Sequence, residues 1–390
     1  MKNAGRAVSA RLAALVAVAL PLAAQPSDVL LHIAHPPLRH MTASSRAAVP
    51  GLTPMGLMEA YNFLAISFKE KGKGQTIALV EAYDDPTAAA DLATFNTQFG
   101  LPPCTTTNGC LKLIYAGGKK PPTDTIGWSN ETAIDTQWAH AMAPSANIML
   151  VEAQSGSLGD LIAGVDAAVQ NGATVVSMSW VASEGPNEGN TDTHFNVPGV
   201  TFVAASGDTG HGVSYPAASP FVVGVGGTSL TVNTNGSWAS ETAWSGSGGG
   251  TSTFENEPSY QAGAQTTGKR GVPDVAYDAN PSTGVSSYNS HACGGCLTGW
   301  AQWGGTSIGA PQWAALFAIA NSLRVQAGKT TLTLPQVALY PAAAVGYHDI
   351  TSGSNGACGS QCKAGPGYDF VTGLGSPIGY QVILKLVVAK

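Results

Sequence analysis

Short runs that are apolar at consecutive positions recur along the chain, with helix-forming segments between them. Nothing else in the sequence constrains the fold as strongly. Gln75–Val80 (QTIALV), Ala146–Glu152 (ANIMLVE), Thr174–Ser179 and Val200–Ala205 (VTFVAA) are of this kind. A strand with one wet face alternates apolar and polar residues, so runs apolar throughout imply strands covered on both faces. Thr87–Phe99 reads as a helix, and so does Leu158–Asn171, which stops at Gly172. Strand and helix in alternation argue for one α/β domain with a mostly parallel sheet flanked by helices. Residues 51–390 would be long for a single domain, at about 340 residues, but the alternation never breaks cleanly enough to define two.

The N-terminus reads as an export signal. Lys2, Arg6 and Arg11 precede the apolar run Leu12–Leu20, and Leu22-Ala23-Ala24 resembles a small-residue cleavage site. Residues 1–24 are therefore expected to be a signal peptide, and 25–50, which contain Pro and His without periodicity, a short leader or linker. The apolar run is too short to span a bilayer. A secreted protein, extracellular or periplasmic, is expected. The six cysteines fit export, because they fall as close pairs in polar loops: Cys104/Cys110, Cys293/Cys296 and Cys358/Cys362. Local disulfides are the reading adopted. The C-G-G-C of Cys293–Cys296 leaves a redox pair or half a zinc site as alternatives. Only 11% of residues are charged and the formal net charge is -6, so there is no basic footprint for nucleic acid. Few ionisable groups also mean little self-repulsion as carboxylates protonate, which suits acidic surroundings.

Trp303–Leu316 (WGGTSIGAPQWAAL) places Ser307 between glycines at the mouth of an apolar helix. A serine hydroxyl is a weak nucleophile until a base takes its proton. Among the eight histidines, only His140 lies on a convincing helix, Asn130–Met142 (NETAIDTQWAHAM), with Asn130 as expected N-cap. With Glu131 at zero on a helical wheel, Ile134, Asp135, Trp138 and Met142 fall within about 60°, and His140 falls about 180° away. Glu131 and Asp135 thus share the apolar face, while His140 is expected to be exposed or at an edge. Two acids on a buried face are costly unless paired or protonated. They suggest a base, Glu131, held by an orienter, Asp135; a solvated helix edge is the plainer reading. After Val200–Ala205, Ser206-Gly207-Asp208-Thr209-Gly210 puts Asp208 at a carboxyl end of the sheet, where α/β proteins bind ligands. A protonated Asp208 could donate to a developing oxyanion; alternatively it caps a tight turn.

Together, G-T-S-x-x-A-P at Ser307, E-x-x-x-D at Glu131 and Asp135, and S-G-D-x-G at Asp208 resemble the sedolisin family of serine-carboxyl peptidases, relatives of the subtilisins. The motifs stand in the family's chain order. The resemblance implies a subtilisin-like three-layer fold and acid-acting peptide hydrolysis through an acyl-enzyme on Ser307. Glu131 would be the base, Asp135 its orienter and Asp208 the oxyanion donor. It also implies one structural Ca²⁺ at His348-Asp349-Ile350-Thr351-Ser352-Gly353 and Gly365-Pro366-Gly367-Tyr368-Asp369. Asp349 and Asp369 would supply carboxylates, and Ile350, Gly365 and Gly367 carbonyls, an all-oxygen set that suits a hard cation. Glu81 matches an acid extending the triad's hydrogen-bond chain, and Trp180 an active-site wall. Expected partners are protein or peptide substrates, without nucleic acid or membrane, for a monomer. With residues 1–24 as signal and 25–50 as leader, no counterpart of the family's large prodomain is expected ahead of the catalytic region. Two other readings stand beside this one: a histidine-dependent serine hydrolase using His140, and an inactive secreted binding protein on the same scaffold.

Overall fold

A computed structural model of the chain describes Met1 and residues 32–40, 49–67, 70–342 and 345–390. Apart from Met1, the expected signal peptide lies outside the described residues. The centre of the molecule is an eight-stranded sheet. Its strands are β1 (Thr76–Ala82), β2 (Leu111–Tyr115), β3 (Asn147–Ala153), β4 (Val175–Met178), β5 (Thr201–Ala205), β6 (Val222–Val232), β7 (Trp238–Ala243) and β8 (Val275–Asp278). They run in the order β7-β6-β5-β4-β1-β3-β2, with β8 also paired to β6. Every pairing is parallel except β7 on β6.

The continuous apolar runs are explained by cover on both faces. Ile77 and Leu79 of β1 belong to the core shared with α2 (Trp128–Met142) and α4 (Thr306–Gln326). Ala78 and Val80 belong to the opposite core, shared with α3 (Leu158–Gln170). Side chains alternate along a strand, so Glu81 follows Ile77 and Leu79 toward α2. Helix α1 (Ala88–Phe99) packs on α2, and α5 (Gly379–Val388) on α4. The expected strands and helices are found within two residues of their predicted ends. Unanticipated were β2, β7, α5, the short β8, and β6, whose Gly224, Gly226 and Gly227 interrupt the apolar pattern.

Two expectations for α2 are corrected. The helix starts at Trp128 with Gly127 as its cap residue, and the capping carboxylate is that of Asp124. Its oxygens accept from the N–H groups of Ile126, Gly127 and Ser129 and from the Ser129 hydroxyl. Asn130 lies inside the helix instead. Its side chain bonds Gly295, Asn289 and Leu297. His140 is fully buried, with Nε2 2.8 Å from the Pro102 carbonyl oxygen. All 15 residues of α2 are buried. Amphipathic phase therefore sets the direction in which His140 points, but the loop with Pro102 and the Cys104–Cys110 pair meets that side, and β9 (Val285–Asn289) and α1 also pack on α2.

The three expected disulfides are all present. Each group of possible metal-ligating side chains among the described residues includes one of these oxidised pairs, so none offers the free thiolates of a zinc site. No helix among the described residues is long and apolar enough to cross a membrane.

One ion pair is wholly enclosed. Arg270 and Asp274, both 0% exposed, meet at 2.6 Å. Asp274 also accepts from the Tyr340 hydroxyl and the Gly224 N–H. Removing one member leaves the other charge buried without a counter-ion, which typically costs about 3–5 kcal/mol. Arg270→Ala should therefore unfold at markedly lower urea concentration than the parent chain. An unchanged midpoint would contradict this placement.

Candidate functional site

Helix α4 opens on Gly305, whose φ of 126° lies in a region that favours glycine. A Cβ there would stand 2.3 Å from the Pro37 carbonyl oxygen and 2.6 Å from Asp208 Oδ2. Glycine thus lets three groups converge at the start of the helix. Ser307 follows two residues later and is fully buried. Four residues further on, Pro311 has no N–H to give the Ser307 carbonyl. That carbonyl instead accepts the Ser179 hydroxyl at 3.1 Å, from the segment following β4.

Glu131 and Asp135, on successive turns of α2, face Glu81 at the end of β1. Contacts run from Glu81 to Asp135, from Asp135 to Glu131, and from Glu131 to Ser307. All three acids are 0% exposed. Ser307 and Ser179 are the adjoining hydroxyls. The Ser307 hydroxyl donates to Pro37 at 2.9 Å, and that of Ser179 is given to Ser307. Fully ionised, the six carboxylate oxygens have no remaining donor among the described residues. Only protons shared among the acids can satisfy them. Burial, with repulsion from Asp135, holds both Glu131 and Glu81 well above the usual carboxylate range. Burial pushes Asp135 up to about 7, opposed by the neighbouring Ser179 hydroxyl and the Glu81 and Glu131 carboxyl groups.

Asp208 follows β5. The Thr306 N–H and hydroxyl donate to its Oδ1 at 2.8 and 2.9 Å, and its Oδ2 is buried without a partner. Burial raises its pKa to about 7, opposed by the Thr306 bonds and the Arg39 charge. The free oxygen of a neutral Asp208 is therefore a donor in waiting beside Ser307. Trp180 is also enclosed, and its indole N–H donates to the Val80 carbonyl at 3.0 Å, next to Glu81. His140 takes no part; it lies against the Cys104–Cys110 pair, and burial lowers its pKa. The histidine-dependent reading therefore has no geometric support.

Sequence reasoning missed what occupies the cleft. Residues 32–40, expected to be a leader or linker, run through it, paired on either side of a tight turn at Pro37 in which the Leu38 N–H donates to the Pro36 carbonyl. His35 and Val181 exchange backbone hydrogen bonds, and the Ala34 N–H donates to Gly156. Arg39 and His40 pair antiparallel with Gly304 and Trp303 of β10 (Gly299–Gly304). His35–Arg39 line a cleft of about 370 Å³ together with Val181–Glu184, Gly207–Thr209 and Val213–Ser214. Ser179 and Thr306 were missed as well. Pro311 is the signal that could have exposed Ser179, because it frees a carbonyl that needs a donor.

Residues 123–346 match the model of the subtilase family. Kumamolisin of Bacillus sp. (strain MN-32) is 32% identical over 385 residues, covering 88% of this chain and 65% of that protein. Sedolisin of Pseudomonas sp. (strain 101) is 33% identical over 264 residues, 58% of this chain and 43% of that one. The chain thus spans less than two thirds of the length of either relative. Among solved structures, Pseudomonas sedolisin, a serine-carboxyl proteinase complexed with two molecules of pseudo-iodotyrostatin, superposes with a TM-score of 0.73. That match has 27% identity and covers 86% of this chain and 97% of the other. The chain belongs to the sedolisin branch of the subtilase family.

The raised acids make stability depend on pH. For Asp135 and Asp208 the folded pKa of about 7 exceeds the unfolded value, so folding favours the protonated form. Their contribution is complete below about pH 4 and is lost as pH rises through about 7. The melting temperature should fall across that window, and Asp135→Asn should flatten the fall. Melting curves independent of pH in both proteins would contradict the burial of these acids.

Proposed function

We propose that the chain is an exported, monomeric peptidase that hydrolyses peptide bonds under acidic conditions through an acyl-enzyme on Ser307. The observation that carries this reading is the unpartnered, buried Asp208 Oδ2 beside a serine whose neighbouring base is a carboxyl chain. Segment 32–40 must vacate the cleft before a substrate enters. Ser307 Oγ then attacks the scissile carbonyl carbon while Glu131, the one carboxyl of the row that enters this step ionised, takes its proton. Asp135, bonded in turn to Glu81, holds Glu131 in place. Neutral Asp208 donates from Oδ2 to the oxyanion, the charge this site must stabilise. Collapse of the tetrahedral species breaks the C–N bond, and Glu131 returns the proton to the leaving amine. Water then enters and the same sequence releases the acyl group.

Ser307→Ala should abolish cleavage of a denatured protein substrate while leaving the fold intact. Asp208→Ala should lower kcat by about 10²–10³, the usual cost of one oxyanion donor. In the parent chain, activity should decline as pH rises through about 7, where Asp208 ionises and can no longer donate. Undiminished cleavage by the Ser307→Ala protein would end this reading. Cleavage by neither protein at any pH would favour a binding role for the same scaffold.

A Ca²⁺ ion fits the C-terminal loop by donor chemistry. Asp349 accepts the Gly367 N–H, and Asp369 accepts those of Gly365, Val371 and Thr372, so both carboxylates address one glycine-containing turn. With carbonyls from Ile350, Gly365 and Gly367, they would hold the ion and tie this loop to β8, through the Leu374 N–H given to Asp274 just ahead of that strand. Saturating chelator should lower the melting temperature of the parent chain, in proportion to the lost binding free energy. Asp369→Ala protein should not respond to chelator; an equal response would place the ion elsewhere.

A further inference from the structure

The docked segment reports how the cleft receives a peptide. Pro37 O lies 2.9 Å from Ser307 Oγ. That oxygen and Asp208 Oδ2 both crowd the point where Gly305 lacks a Cβ, at 2.3 and 2.6 Å. Pro37 therefore stands where nucleophile and acid donor meet, in the position of the residue whose carbonyl is attacked. Upstream of it the chain does not stop. His35 is paired through both its N–H and its carbonyl with Val181, and Ala34 donates to Gly156 at 2.7 Å. Beyond them, Ile33 bridges Ser157, and His32 accepts the Leu158 N–H at 2.8 Å. Downstream, Arg39 and His40 add to β10.

We infer that the cleft acts on internal bonds of extended chains, with a pocket for a small side chain at the position of Ala34, three residues before the attacked carbonyl. The inference rests on the peptidase reading above. Removal of short peptides from a free N-terminus would need the cleft to end shortly before the reacting bond, where the substrate's ammonium group would be held. Here the strand passes Ala34 and leaves the cleft at Ile33, which is 72% exposed. Backbone pairing of the substrate as an added strand supplies affinity without regard to sequence, and pockets supply the choice of residue.

The pocket itself is closed. Ala34 is 2% exposed and shares an apolar cluster with Trp128. Gly156 makes the close approach possible. A Cβ on Gly156 would lie 3.1 Å from the Ala34 carbonyl oxygen and 3.3 Å from Cζ2 of Trp128. The Trp128 ring, 4% exposed, is met edge-on by Tyr83 at 6.4 Å, which limits its freedom to yield. A methyl group fills the space, and a longer side chain must displace the indole.

The test compares two kinds of substrate on the full chain at about pH 4, below the ordinary carboxylate range. One is a set of N-acetylated, internally quenched peptides differing only at the fourth residue before the bond, as Ala, Leu or Lys. The other is a tripeptide with a free amine and a fluorogenic amide leaving group. The acetylated peptides should be cut internally and faster than the tripeptide. Alanine should exceed leucine by about tenfold or more in kcat/KM, the scale on which pockets reject added methylenes. Trp128→Ala should raise the leucine peptide relative to the alanine one, with circular dichroism reporting its folding. If that variant does not fold, the peptide series on the parent chain still decides. Cleavage confined to free N-termini, or indifference to the fourth residue, would overturn the inference. Cleavage of neither kind of substrate would instead overturn the peptidase reading, and this inference with it.

Discussion

Three carboxyl groups, Glu81, Asp135 and Glu131, are enclosed together, and no basic side chain is among the groups acting on them. Water is excluded and no counter-ion replaces it, so protons are what make the cluster tolerable. The rest of the site follows from this. The parity of β1 turns Glu81 toward α2, the four-residue spacing on α2 stacks Glu131 and Asp135 in its path, and α4 brings Ser307 to the end of the row. A histidine would carry a positive charge in the same acidic range, whereas each carboxyl of the row that takes a proton becomes neutral. Burial of the row and its need for shared protons are thus two expressions of one constraint.

Asp208 obeys the same logic from the other side of Ser307. Thr306 saturates one oxygen and leaves the other bare. Arg39 of the docked segment attracts Asp208 only while that acid is ionised. The proton that would make Asp208 a donor in the proposed reaction therefore also removes one of the forces holding residues 32–40 across the cleft.

Much of this arrangement is legible in the sequence, because it depends on periodicities that local geometry enforces. Runs apolar on both strand faces fix a covered parallel sheet, and the 100° step of a helix separates Glu131 and Asp135 from His140. The misreadings have physical causes of their own. His140 meets the loop with Pro102 and the Cys104–Cys110 pair, a segment remote in sequence that covers a face the helix alone would leave wet. Asn130 has the chemistry of a cap, but Asp124, on the preceding turn, reaches the same N–H groups first. Strand β6 hides because its glycines were chosen by close neighbours: a Cβ on Gly226 would meet Pro273 at 2.6 Å. The pairing of residues 32–40 uses backbone groups, which every sequence possesses, so no side-chain pattern announces it.

The bond from Ser179 to the Ser307 carbonyl fixes the frame to which the nucleophile is referred. In an uninterrupted helix that carbonyl would be tied to the next turn, and the serine would move with α4. Pro311 cuts this internal tie, and Ser179 replaces it with one to the end of β4. The first turn of α4 is thereby anchored to the sheet that also carries Glu81. Small shifts of the long helix along its axis can then be absorbed beyond Pro311, leaving the distance between serine and acids unaltered.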